Sequence, residues 1–207
     1  MRVLNPTPAS RLTDAKGRPY FLWDMELTLD EFRALLRDGD DTTKAWLIGK
    51  LMRQAKPDDV FEFVTLDEIR TRFAAIERHL GRSGPMWKWL LTDWAVDTHH
   101  SEQTADQPSD ASDPELANKL GALLHRAELR DLVDVEALLG LGLDLGRAIA
   151  DAARKDGGFS PVTLGWALAQ FPVAAQAKAT SLSPERAAAL EVFRADLARR
   201  VAYLAKP

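Results

Sequence analysis

The chain has 207 residues, a hydrophobic fraction of 46% and a formal net charge of -4, which suits one large domain or two small ones with real cores. It contains no cysteine; disulfides, thiolate zinc sites and thiol catalysis are thereby excluded, and a cytoplasmic location is expected. Met1–Ser10 is polar with two prolines and has no apolar signal core, and no stretch approaches the roughly 20 apolar residues that span a bilayer, so no membrane segment is expected.

Helical signals follow one another along the chain. Pro19 to Trp23 is aromatic and apolar and reads as an extended segment pinned on the core. Thr28 and Glu31 have capping-box spacing, ahead of Leu29, Phe32, Leu35 and Leu36 at helical intervals, and Gly39 ends the run. A second helix is predicted from Thr43 to Ala55 with Leu47, Ile48, Leu51 and Met52 inward; Pro57 stops it and opens a short helix through Phe63. Thr65 and Glu68 repeat the capping box before the stripe Leu66, Ile69, Phe73, Ile76 and Leu80. Pro85 opens a helix with Trp87, Leu90, Leu91 and Trp94 on one side.

Residues 97–113 contain Asp97, Glu102, Asp106, Asp110 and Asp113, no Lys or Arg, and no large apolar residue. Such a composition buries too little surface to offset the entropy of ordering it, and a flexible acidic linker is predicted, its ends on the order of 20–25 Å apart. His99 and His100 lie within it; a weak metal site and a solvated linker are the two readings, and no metal site is assigned.

Helices resume at Asp113-Pro114 with Leu116, Leu120, Leu123 and Leu124 inward. One is predicted over Leu129–Leu139, one from Asp144 to about Asp156, and one after Ser160-Pro161 with Leu164, Leu168 and Phe171 inward. Ser183-Pro184-Glu185 caps the last, whose stripe is Leu190, Phe193, Leu197, Val201 and Leu204. The fold class is therefore all-α: an N-terminal helical module (1–96), the acidic linker (97–113) and a C-terminal helical module (114–207).

Each module carries a resemblance. Ala117-Asn118-Lys119-Leu120, Arg126, Arg130-Asp131-Leu132-Val133-Asp134, Arg154-Lys155-Asp156-Gly157-Gly158-Phe159-Ser160-Pro161 and Leu182-Ser183-Pro184-Glu185 resemble the helical C-terminal part of AbiE-type abortive-infection nucleotidyltransferases, toxins of bacterial toxin–antitoxin systems. Arg18-Pro19-Tyr20-Phe21-Leu22-Trp23-Asp24, Gly49-Lys50-Leu51 and Lys56-Pro57-Asp58-Asp59-Val60 are similar to a small uncharacterised bacterial protein encoded upstream of such toxins. Those toxins carry an α/β catalytic core with a Gly-Ser motif and paired Asp residues that hold metals. No Gly-Ser dipeptide occurs in this chain, and the linker stands where that core would be.

The resemblance nominates Lys119, Arg130, Asp131 and Asp134 for a nucleotide: lysine to phosphate, carboxylates to metal or to an orienting arginine. The alternative is a structural ion-pair network, since Asp131 and Asp134 share a helical face. Lys155 to Pro161 lacks the Gly-Lys-Ser/Thr of a phosphate loop and reads as a helix stop followed by a helix start. Trp89 points away from the Trp87 and Trp94 stripe and is the candidate interface anchor. Arg70, Arg72, Arg78, Arg82 and Lys88 form a local basic excess interrupted by Glu68 and Glu77.

The expected function is that of a non-catalytic helical interaction protein whose partner is a nucleotidyltransferase toxin or its antitoxin, with no catalytic residue and no cofactor. A degenerate fusion with no retained role, a nucleotide-binding accessory subunit and a DNA-binding regulator are the alternatives; the overall charge gives no basic nucleic-acid footprint.

Overall fold

The structure is a computed structural model and describes residues 3–95 and 114–207. The predicted linker at 97–113, with His99 and His100, lies outside the described residues. Among the described residues there are 12 α-helices and no strand, so the fold is all-α. The chain divides into two units: Pro6–Leu91 with Pro207, and the described residues of Met1–Asn5 and Thr92–Lys206.

The Pro6–Leu91 unit contains α1 (Ala9–Leu12), a 3-10 turn at Tyr20–Leu22, α2 (Leu29–Asp38), α3 (Asp41–Gln54), α4 (Pro57–Val60), α5 (Leu66–Ile76) and most of α6 (Gly84–Ala95). Both capping boxes form. Glu31 N–H donates to Thr28 Oγ1 at 3.3 Å while Thr28 N–H donates to Glu31 Oε2 at 2.9 Å, and Thr65 and Glu68 exchange the equivalent pair. The central helix is α3, which packs against α2, α5 and the 3-10 turn. Residues 47 through 52 are all buried, as a helix with neighbours on most sides requires. It starts two residues earlier than the sequence predicts, because Asp40 takes the N-cap and accepts from Thr43 N–H at 2.9 Å. Phe21, Phe32 and Phe63 form an edge-to-face triangle with all three centroid distances at 5.5 Å.

Pro19 to Trp23 is pinned on the core but is not extended. Phe21 and Leu22 are adjacent and both fully buried. A strand would send one of them outward, and the 3-10 turn, closed by Leu22 N–H donating to Pro19 O at 2.9 Å, turns both inward.

The other unit contains α7 (Pro114–His125), α8 (Leu129–Gly140), α9 (Leu145–Lys155), α10 (Pro161–Ala169), α11 (Val173–Ala179) and the 21-residue α12 (Pro184–Leu204). α12 packs on α8, α9, α10 and α11, and α7 packs on α8, α9 and α10. Asp144, Ser160 and Ser183 each accept from the N–H three residues on, so the three predicted N-caps all form. Residues far apart in sequence complete this unit. Val3 N–H donates to Leu204 O at 3.1 Å, Asn5 Nδ2 to Phe159 O at 2.7 Å, and the Trp94 indole to Ala202 O at 2.7 Å. α11 escapes sequence reading because only Val173 and Ala177 of it are buried, too short a pattern to register as a stripe.

Candidate functional site

The residues nominated in the C-terminal module meet where α7 turns into α8. Three of the four come together. Lys119 Nζ lies 2.5 Å from Asp134 Oδ2 and 3.4 Å from Asp131 Oδ1. The fourth, Arg130, faces away: its side chain is 68% exposed and pairs with Glu128 at 2.8 Å. Arg126 stands in the cluster instead, its guanidinium donating to both oxygens of Asp131 at 2.9 and 3.0 Å. This two-bonded fork is the geometry in which arginine binds a carboxylate most strongly.

Asp131 is fully buried. Burial pushes its carboxyl up, but the Arg126 and Lys119 hydrogen bonds and charges outweigh this and hold it below the ordinary value of 3.8. Lys119 is raised in turn, chiefly by its bond to Asp134. The turn that carries Arg126 back to α8 passes through Ala127 at φ 50, a left-handed conformation that costs a non-glycine residue energy. Gln176 of α11 holds it there: its Nε2 donates to Ala127 O at 2.8 Å and its Oε1 accepts from Leu129 N–H at 2.7 Å. The involvement of Arg126 depends on this left-handed turn, and α-helical spacing gives no sign of it.

In the Pro6–Leu91 unit, the three segments that carry the second resemblance are bonded to one another. Tyr20 Oη donates to Asp59 Oδ2 at 2.6 Å and accepts from Lys56 N–H at 2.7 Å. Thr7 supplies Asp59 with two further donors, its N–H at 2.5 Å and its hydroxyl at 2.8 Å. Asp59 is 1% exposed, so these donors replace water for a buried carboxylate. Burial, then the Asp59 bond, pushes the Tyr20 phenol up well beyond its ordinary value. Lys50, also buried, pairs with Asp24 at 2.5 Å and lies 5.7 Å from the Trp46 ring. Gly49 lets α3 approach its neighbour: a Cβ there would stand 2.5 Å from the Cβ of His79.

Between the two anchors, Tyr20 and Asp24, stands Trp23, whose side chain is left outside at 75% exposed. Trp46 and Tyr20 are each 39% exposed. Trp89, the interface candidate from sequence, is half-buried. Trp23 is thus the tryptophan most open to solvent among the described residues.

The basic residues after Thr65 are mostly spoken for. Arg70 pairs with Asp67 at 3.8 Å, Arg72 with Asp41 at 3.4 Å and Lys88 with Glu77 at 2.5 Å, while Arg78 Nε donates to His79 at 3.1 Å. In the Lys155–Pro161 stretch, Asp156 Oδ1 accepts the Gly158 N–H at 2.7 Å, and Ser160 caps α10. Among the described residues no group of three or more acidic or histidine side chains is arranged to hold a metal ion, and no helix is long and apolar enough to cross a membrane. In comparisons with known proteins, no family model, no curated protein and no solved structure matches this chain.

Proposed function

We propose that the chain is a non-catalytic helical interaction protein, related to bacterial abortive-infection toxin loci, and that its partner is a nucleotidyltransferase toxin or the cognate antitoxin. The observation that carries this reading is the exposure of Trp23 on a segment tied down on both sides of it. Leaving a tryptophan in water forfeits the burial free energy of a large apolar surface. The Tyr20–Asp59 and Asp24–Lys50 contacts hold its backbone, so a partner meets an aromatic side chain on a segment that is already ordered. Rigid aromatic anchors of this kind dominate the energetics of protein interfaces.

A nucleotide-binding accessory subunit is less well supported. Lys119 and Arg126 are engaged with Asp131 and Asp134, and Arg130 is turned toward Glu128. A phosphate would have to strip a fully buried carboxylate of its partners, which is costly.

Purification at native expression from the host tests the reading. A nucleotidyltransferase or antitoxin recovered with the wild-type chain and lost with Trp23→Ala supports it. Recovery of the wild-type chain alone overturns it.

A further inference from the structure

Four cationic side chains from three helices border one cleft in the Pro6–Leu91 unit. Arg33 and Arg37 come from α2, Lys44 from α3 and Arg72 from α5, around a volume of about 310 Å³. Its floor is apolar: Ile48 and Val64 are buried, and Phe63 lies under the Arg33 guanidinium at 5.7 Å. Two carboxylates, Glu62 and Glu68, also line it.

Arg37 is forked on Asp38 at 2.9–3.1 Å, much as Arg126 is on Asp131, but the other three cations are held differently. Lys44 donates to the Arg37 carbonyl at 2.9 Å and makes no ion pair among the described residues. Arg33 comes no closer than 4.0 Å to Asp30, which is itself 96% exposed. Arg72 reaches Asp41 through Nη2 at 3.4 Å, while its buried Nε has no partner. A buried donor without an acceptor points to a group that would complete it. Glu68 does not fill that role: Arg72 Nε has no partner, and the Glu68 Oε2 accepts the Thr65 N–H and hydroxyl at 2.8 and 2.9 Å. Those bonds foremost, and then the charges of Arg72 and Lys44, hold its carboxyl below the ordinary value.

A concave site with an apolar floor and a few converging charged donors is built for a small molecule rather than for a flat protein surface. We infer that this cleft binds a small organic anion: a phosphate or carboxylate held by Lys44 and Arg72, carried on a flat apolar body that lies on Phe63, Ile48 and Val64. Arg33 and Arg37 close the rim and raise the local potential for the anion. The inference is independent of the partner reading, since it uses none of Tyr20, Trp23 or Trp46.

The test is a titration of the full chain followed by methyl and amide NMR, with phenyl phosphate, benzoate, inorganic phosphate and phenol as probes. Phenyl phosphate or benzoate is expected to saturate, shifting the Ile48 and Val64 methyls, and to bind about tenfold more tightly than phenol or inorganic phosphate, because each of those lacks one half of the recognition. Which of the two aryl anions binds better distinguishes a phosphate from a carboxylate ligand. Lys44→Met is expected to weaken the preferred probe about tenfold, the worth of one charge-assisted bond. Arg37→Gln, at an exposed position that leaves folding intact, weakens it less, and Lys16→Met leaves it unchanged. Failure of both aryl anions to saturate overturns the inference. So does phenol binding as tightly as the aryl anions, inorganic phosphate matching them, or wild-type affinity in both cleft variants.

Discussion

Tyr20 donates its phenolic hydrogen to Asp59 Oδ2 at 2.6 Å, across 39 residues of sequence. The same oxygen of Tyr20 accepts the Lys56 N–H. One hydroxyl therefore satisfies a buried carboxylate and the backbone amide that leads into α4, and it fixes the 3-10 turn from which Trp23 projects.

Tyr20→Phe removes that hydroxyl and leaves the Asp59 carboxylate and the Lys56 amide each short of a partner. The expected loss is about 1–2 kcal/mol, read as a lower urea midpoint with an unchanged slope. The phenol also gives stability a pH dependence. Its folded pKa is raised above the ordinary value of 10.0, so the contribution is complete below that value and is lost as pH rises toward the folded one. The wild-type protein should weaken above pH 10.0 more steeply than Tyr20→Phe, and equal slopes would show that Tyr20 is not the group responsible.

Asp131→Ala leaves Arg126 and Lys119 without their shared anion and opens a void in the core, and a cost of about 3 kcal/mol is expected. Arg126→Ala destabilises in the same direction, while Arg130→Ala, on a side chain turned to solvent, leaves the denaturation midpoint where it is. The folded pKa of Asp131 is depressed, so its contribution is present above the ordinary value of 3.8 and disappears as pH falls through the folded one. Acid denaturation of Asp131→Asn should therefore show a shallower low-pH arm than the wild type.

Two glycines in helices make opposite predictions. Gly49→Ala drives a methyl to 2.5 Å from the Cβ of His79 and 3.2 Å from the Ile76 carbonyl, and separating α3 from its neighbour is expected to cost about 1–3 kcal/mol. Gly121, inside α7, has nothing within 4 Å of its would-be Cβ. Gly121→Ala should gain about 0.5–1 kcal/mol from backbone entropy alone. Thermal melts of the two variants side by side should straddle the wild type.

Ala127→Gly relieves the left-handed backbone between α7 and α8 and should stabilise by about 1 kcal/mol. Gln176→Ala removes both bonds that hold the turn and should destabilise by about 2 kcal/mol. Hydrogen exchange at Leu129 reads the turn directly: its amide should exchange faster in Gln176→Ala, and unchanged protection would mean that Gln176 does not hold it.

Trp23→Ala should leave the urea midpoint unchanged, because the side chain is 75% exposed, and should weaken partner binding about thirtyfold or more, as loss of an interface hot spot does. Trp89→Ala, at a half-buried position, should lower stability instead. A Trp23→Ala chain that keeps full partner affinity would move the interface elsewhere.

What the amino-acid sequence by itself determined is the all-α class and most helix starts. Thr28 with Glu31, Thr65 with Glu68, Asp144, Ser160 and Ser183 each act within three residues of their own position, and a capping bond uses only atoms of its own helix end. Stripe positions such as Leu120, Leu164 and Leu197 are buried for the same local reason, the 3.6-residue period. Only the tertiary structure decided that Pro19–Trp23 is a turn, that Arg126 and not Arg130 holds Asp131, and that Arg33, Lys44 and Arg72 border one cleft. Each of these depends on backbone carried between elements through a turn or a packing distance, and neither the helical period nor a capping residue encodes where a neighbouring helix will lie.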